Sequence, residues 1–192
     1  MQTSSPVLPR EPEGIAENVM LAIDTGIAGV SIEDRQIGNL SQLYDQAESV
    51  NRIRAARSAI DQTGGDVILV ARTEGLLIDS TAIKKAIDKL VAFADAGADC
   101  LYAPGVGKKE DISAMVRAVA PKAVNVLVMG AGLTASELEG LGVRRISVGG
   151  ALALSAWGAM VTSSEMLKAG KFDSLGGQTS GGRLNEIFST FA

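Results

Sequence analysis

The sequence predicts an α/β fold built on a parallel sheet, and three observations carry that expectation. Short β-branched runs alternate with helix-length amphipathic segments, and glycine closes most of the helical segments. The β-branched runs are also apolar along nearly their whole length, as strands covered on both faces should be. Strands separated by helices join through right-handed crossovers, which place them parallel in one sheet.

The elements follow in order. Ile15, Val19, Ala22 and Ile23 keep a 3–4 spacing and predict a helix over Gly14–Thr25; Asp24-Thr-Gly26 ends it before the strand Ala28-Gly-Val-Ser-Ile32. Val50, Ile53, Ala56 and Ile60 mark a second helix, closed at Thr63-Gly-Gly65 before Val67-Ile-Leu-Val70. Ile83, Ile87, Val91 and Ala94 mark a third, closed at Asp95-Ala-Gly97 before Cys100-Leu-Tyr102. Ile112–Val119 is helical in pattern, and Val124-Asn-Val-Leu-Val128 follows Pro121. Thr134-Ala-Ser-Glu137 reads as a capping box opening a helix to Leu141, with Arg145-Ile-Ser-Val148 after Gly142. A helix over Ala151–Ala169 comes next, then a Gly/Ser linker, Ser174–Gly182, and a short apolar-faced segment, Leu184–Phe191. The strands are expected to end near Glu33, Arg72, Ala103, Val128 and Val148.

No GxGxxG follows a strand and no P-loop is present, so the nucleotide-binding doubly wound folds lose support. A (β/α)8 barrel typically takes roughly 250 residues and eight strands. Here a Pro-rich leader runs straight into a helix, as if a barrel were entered partway through. The expectation is an N-terminally incomplete TIM-type barrel of about five parallel βα units over residues 1–173, with the linker and C-terminal helix over 174–192. Such a sheet has two open edges, and the leader Ser4–Pro9 or a second subunit should shield one of them.

Composition narrows the chemistry. The chain has no histidine, which removes His general bases, Ser-His-Asp and Cys-His arrangements and His-ligated metals together. One cysteine, Cys100, excludes an intramolecular disulfide and CxxC motifs, and at the start of a strand it reads as a small buried hydrophobe. A net charge of −4 argues against non-specific nucleic-acid binding. No segment has the character of a signal peptide, so a cytoplasmic protein is expected. Ile146–Ser164 carries no charge, but its Ala, Gly and Ser content suits a buried helix better than a membrane span.

In parallel α/β folds chemistry gathers at the carboxyl ends of strands. Those ends hold Glu33-Asp34-Arg35, Arg72-Thr73-Glu74, Pro104-Gly105, Asn125 with Gly130-Ala-Gly132, and Gly149-Gly150 opening a helix. Adjacent carboxylates suit a hard cation such as Mg²⁺ or Mn²⁺, a guanidinium beside them can fork onto a phosphonate or carboxylate, and Gly149-Gly150 offers backbone N–H groups to an anion. Two readings of Glu33 and Arg72 stand side by side: a substrate site, or an ion pair that ties two strand ends together. Asn125 is equally a barrel-interior amide or a structural hydrogen-bonder. Lys84-Lys85…Asp88-Lys89 reads as a solvated helix face, and Trp157 as a core or subunit contact.

Gly29-Val-Ser-Ile-Glu-Asp34, Ala71-Arg-Thr-Glu74, Gly97-Ala-Asp-Cys-Leu-Tyr-Ala-Pro-Gly105 and Leu141-Gly-Val-Arg-Arg-Ile-Ser-Val-Gly-Gly150 resemble, in order and spacing, the phosphoenolpyruvate mutase/isocitrate lyase superfamily, most closely its phosphonomutase-like branch. The resemblance runs from about Glu11 to about Lys171. It implies a (β/α)8 barrel that uses Mg²⁺ to make or break a C–C or P–C bond beside an α-keto or enolpyruvate carboxylate. It further implies a small 2-oxo or enolpyruvyl acid as substrate and a homo-oligomer. Glu33 would sit near the metal through water, and Arg72 would act in catalysis and hold the substrate. Asn39 and Ser41 are similar to the mutase-type catalytic loop, and Asn125, Gly149 and Gly150 would contribute to substrate binding.

The chain departs from that pattern in three places. The Asp-x-[Asp/Glu] strand expected just before Glu11-Pro-Glu-Gly14 is replaced by Ser4-Ser-Pro-Val-Leu-Pro-Arg10. The loop Arg35–Ser41 lacks the Lys and Cys of the lyases, and Gly105 stands where the lyases carry Glu. These departures imply impaired activity in this shortened chain. The alternative is a non-catalytic member that oligomerises or binds a small acid.

Overall fold

The computed structural model describes residues 12–36, 38–177 and 179–190. Helix α1 (Pro12–Ile23) leads into strand β1 (Gly29–Glu33). A short antiparallel hairpin follows, made of β2 (Arg35–Gln36) and β3 (Asn39–Leu43), before α2 (Gln46–Thr63) and β4 (Ile68–Arg72). Then come α3 (Gly75–Ile78), α4 (Ile83–Asp95), β5 (Cys100–Tyr102), α5 (Lys109–Val119), β6 (Ala123–Leu127), α6 (Ala135–Gly140) and β7 (Arg145–Ser147). The chain divides after Ser147, and the second unit holds α7 (Ala151–Lys168), a 3₁₀ turn (Asp173–Gly177) and α8 (Gly181–Ser189).

Five strands form one sheet in the order β1-β4-β5-β6-β7, and every neighbouring pair is parallel. They end at Glu33, Arg72, Tyr102, Leu127 and Ser147, each within one residue of the position expected from the sequence. This is the βα arrangement of a TIM-type barrel. The leader Ser4–Pro9, expected to shield an edge, lies outside the described residues.

Strand alternation gives the sheet two unlike faces. Leu69 and Ala71 of β4, Leu101 of β5, and Val124 and Val126 of β6 pack against helical residues such as Ile53, Ile60, Leu90, Phe93, Ile112 and Met115. Among the described residues, the buried hydrophobic cluster of the opposite face is Val70, Cys100 and Tyr102, with Ala123 and Leu127 beside them. Cys100 is buried, and that burial pushes its thiol pKa up. The turn into β5 depends on Gly97. Its φ of +102° suits glycine, and a Cβ there would meet Arg57 Cγ at 2.7 Å. Arg57 in turn bonds Asp99, whose carboxylate accepts the Leu69 amide at 2.8 Å and so ties β4 to the start of β5.

Several expectations need correcting. The segment after Asp34 is not a plain loop. Gln36 and Asn39 pair across a tight turn at Gly38, where φ is +87°, and form the hairpin. Lys89 does not belong to the solvated face. It falls on the stripe of Ala86, Leu90 and Phe93 that α4 buries, whereas Lys84 and Asp88 form the exposed i,i+4 pair. Helix α7 has no buried residue, contrary to the expected buried helix, and Trp157 is 60% exposed. Its small Ala, Gly and Ser side chains leave Leu152, Leu154, Trp157, Met160 and Val161 standing outward with no described residue to cover them. Part of the expected Gly/Ser linker is the 3₁₀ turn, and α8 begins at Gly181 with Ser180 as its cap. No described helix is long and apolar enough to cross a membrane.

Candidate functional site

Parallel register lines up one row of side chains across the sheet: Glu33 beside Arg72, Arg72 beside Tyr102, Tyr102 beside Asn125, and Asn125 beside Arg145. Because register neighbours share a face, the row lies on the thinly covered side, with Val70 and Cys100 one pleat below. The expected convergence of Glu33 and Arg72 is present. Glu33 Oε2 lies 3.3 Å from Arg72 Nε, and the Glu33 side chain is half exposed.

Arg72 is held by one end. Its Nε donates to Glu74 and also faces Glu33, while its Cζ sits 5.0 Å from the centre of the Tyr102 ring. Burial by itself would lower the guanidinium pKa. The hydrogen bond and charge of Glu74, with Tyr102 and Glu33, outweigh that and raise it above its ordinary value. Among the described residues, the two terminal nitrogens of Arg72 make no hydrogen bond. Those terminal nitrogens are the fork that grips a carboxylate or phosphonate bidentately. An arginine anchored through Nε, with its fork unspent, is preorganised for an anion.

The carboxylate one position after Glu33, Asp34, points to the other side of the sheet and is 1% exposed. Its Oδ1 accepts the Glu74 amide at 2.8 Å, and its Oδ2 accepts the Thr73 hydroxyl and the Lys89 ammonium, each at 2.7 Å. Glu74 is also buried and accepts from Arg72 and from Arg35 of β2, the latter at 3.0 Å. Asp34, Glu74 and Glu33 are thus matched by Lys89, Arg35 and Arg72. Sequence reasoning missed Lys89 and Arg35. The signal was available for Lys89, which lies three residues from Ala86 and four from Phe93 on the apolar stripe of α4.

This matching bears on the expected metal role of Glu33. Among the described residues no group of three or more Asp, Glu or Cys side chains is arranged to hold a metal ion. Asp34 and Glu74 are spent on the partly buried cations Lys89 and Arg35, and Glu33 alone of these carboxylates is accessible. The described residues therefore do not compose a complete Mg²⁺ or Mn²⁺ centre, which needs octahedral oxygen donors with free lone pairs.

The remaining sequence-predicted residues are dispersed. Asn39 and Ser41 bond each other on the hairpin, with Ser41 Oγ donating to Asn39 Oδ1 at 3.0 Å. Ser41 also lines a cavity of about 480 Å³ together with Tyr44, Thr73 and Lys89, on the helix side of the sheet. Asn125 is fully buried and mostly committed: its Oδ1 accepts from Arg145 at 3.0 Å, and its Nδ2 donates to Ser147 Oγ at 3.0 Å. Gly149 and Gly150 precede α7 in the second unit, Gly149 with φ of +50°. Gly105 has φ of +97°, which L side chains rarely adopt, and a Cβ there would lie 3.2 Å from Leu76 Cβ, so any side chain at this position is strained.

Comparison with known proteins places this geometry. Residues 9–168 match the phosphoenolpyruvate phosphomutase family. A phosphoenolpyruvate phosphomutase of Streptomyces hygroscopicus is 39% identical over 84 residues, which is 40% of this chain and 26% of that protein. Among solved structures, a candidate lyase or mutase of Burkholderia cenocepacia J2315 is 39% identical with a TM-score of 0.87, over 94% of this chain and 66% of that one. An oxaloacetate acetylhydrolase in complex with its product oxalate is 27% identical with a TM-score of 0.77, over 92% of this chain and 62% of that one. The chain spans at most about half the length of the curated relatives it matches. With the family match over residues 9–168 and the same barrel-type fold in the solved structures, the chain belongs to the phosphoenolpyruvate mutase/isocitrate lyase superfamily.

Proposed function

We propose that this chain handles a small 2-oxo or enolpyruvyl acid and serves a lyase- or mutase-type reaction that makes or breaks a C–C or P–C bond beside the acid's carboxylate. The observation that carries this reading is Arg72, anchored through Nε by Glu74 and backed by the Tyr102 ring, with its fork free of described partners. Such a group binds the carboxylate or phosphonate end and orients the bond to be cleaved, which supplies the positioning share of catalysis. Glu33, half exposed at the same strand end, is the one carboxylate there open to an approaching cation or proton. The acetylhydrolase whose complex holds oxalate supports a planar dianion as the test ligand. The exposed apolar side chains of α7 support self-association of the chain.

A second reading, a member that binds a small acid without turnover, is favoured by the commitment of Asp34 and Glu74 to the cations Lys89 and Arg35. One experiment separates the two. Oxalate is titrated calorimetrically into the chain with and without Mg²⁺, and phosphonopyruvate and a panel of 2-oxo acids are followed by NMR for conversion to any product. The reading predicts oxalate binding that Arg72→Ala abolishes, together with turnover of one of these acids. Binding without turnover favours the second reading, and an unchanged oxalate response in Arg72→Ala removes Arg72 from the site.

A further inference from the structure

We infer that Lys89 is a positioning residue for Arg72, acting from the opposite face of the sheet through Asp34 and Glu74. The inference deepens the reading of Arg72 as the anion-gripping group and takes its functional meaning from it. Lys89 lies on α4 and does not touch Arg72. Its side chain is 13% exposed, and its ammonium rests 2.7 Å from Asp34 Oδ2 and 3.1 Å from the Tyr44 carbonyl.

Asp34 holds the two residues that follow Arg72. One carboxylate oxygen takes the Thr73 hydroxyl, and the other takes the Glu74 amide. The backbone hydrogen bonds from Asp34 N to the Arg72 carbonyl and from Thr73 N to the Tyr102 carbonyl keep the strand register up to this point. At Glu74 the chain leaves the extended conformation, with φ of −88° and ψ of 2°, to start α3. The turn, and hence the direction of the Glu74 carboxylate, is therefore set where Asp34 grips it. That carboxylate anchors Arg72 Nε.

The fully buried Asp34 carboxylate holds Thr73, Glu74 and Lys89 together, and Lys89 is the counter-charge that balances its burial. Without Lys89, a buried carboxylate is left without its partner and turns toward water. That turn loosens the grip on Thr73 and Glu74 and lets Arg72 swing on its stem. The same ammonium bonds the Tyr44 carbonyl and so fixes the far foot of the β2–β3 hairpin, whose near foot supplies Arg35 to Glu74.

The test reads Arg72 directly, without a ligand. Arginine Nε–Hε correlations are recorded by NMR on the full chain, with Arg72→Lys identifying the Arg72 signal and the exposed Arg183 as reference. In the parent chain the Arg72 Hε should exchange with water more slowly than that of Arg183. In Lys89→Met, studied where the chain is folded, it should exchange about tenfold faster than in the parent, with Lys89→Arg close to the parent. If Lys89 serves stability alone, the melting temperature falls while the Hε of folded molecules keeps its parent rate, and the inference is overturned. An Arg72 Hε no better protected than that of Arg183 in the parent also overturns it. Should Lys89→Met fail to fold, Thr73→Val removes one Asp34 contact without changing charge. A several-fold faster Hε supports the inference there, and an unchanged one defeats it. Failure of the functional reading is seen separately, as oxalate binding that survives Arg72→Lys.

Discussion

Glu33 and Arg72 face one side of the sheet, while their chain neighbours Asp34 and Thr73 face the other, and the two sides differ in every physical respect. On the first side an ion pair sits at the strand ends, half open, with an arginine fork unspent. On the second, one residue along each strand, a carboxylate is sealed from water and saturated with donors. The period of two in a β-strand is what separates them. A single sequence motif, Glu-Asp on one strand and Arg-Thr-Glu on the next, thus places the Arg72 guanidinium on one face and the Asp34 hydrogen-bond cluster on the other.

That comparison can be broken by substitution, and the largest effect should lie on the sealed side. Lys89→Met leaves Asp34 buried without its counter-charge, and urea denaturation should show a loss of about 3–5 kcal/mol. Arg72→Met should cost less, about 1–2 kcal/mol, because Glu74 keeps its bond to Arg35. If the two losses were reversed, the division between a supporting and a working face would be wrong. Glu33→Gln should be smaller again, about 0.5 kcal/mol or less by the same measurement, since a half-exposed pair is screened by water.

The smallest effect belongs to an exposed site away from both faces. Lys109, with the capping-box contacts of Thr134, holds the Glu137 carboxylate at a pKa of about 2, below its ordinary 4.5. A folded-state pKa below the unfolded one means stability that is fully present above pH 4.5 and lost as pH falls through about 2. In Glu137→Gln the acid-unfolding curve should flatten slightly across that window, lying a little below the parent above it and meeting the parent below it.

Much of this was legible because the signals were periodic or terminal. Helix-ending glycines followed by β-branched runs located four of the five strands, the run after Pro121 located the other, and the Thr134–Glu137 box is present as expected. The pairing of Glu33 with Arg72 followed from their shared place at the ends of neighbouring strands. Lys89 was hidden by its company, since Lys84, Lys85 and Asp88 are exposed and one-dimensional reading took the run as a unit. The hairpin after Asp34 was hidden because two- and five-residue strands of mixed polarity leave no period to detect. Helix α7 misled for a different reason. A chargeless run reports what a helix could bury, not whether a partner surface exists to bury it.

The central claim is that the anion grip belongs to Arg72 and its face of the sheet. It is tested most directly by thermal unfolding of the parent chain and Arg72→Lys, each with and without a saturating concentration of oxalate. Lysine keeps the charge and loses the Nε anchor and the fork. The account predicts that oxalate raises the melting temperature of the parent and leaves that of Arg72→Lys where it was. An equal rise in both would contradict it.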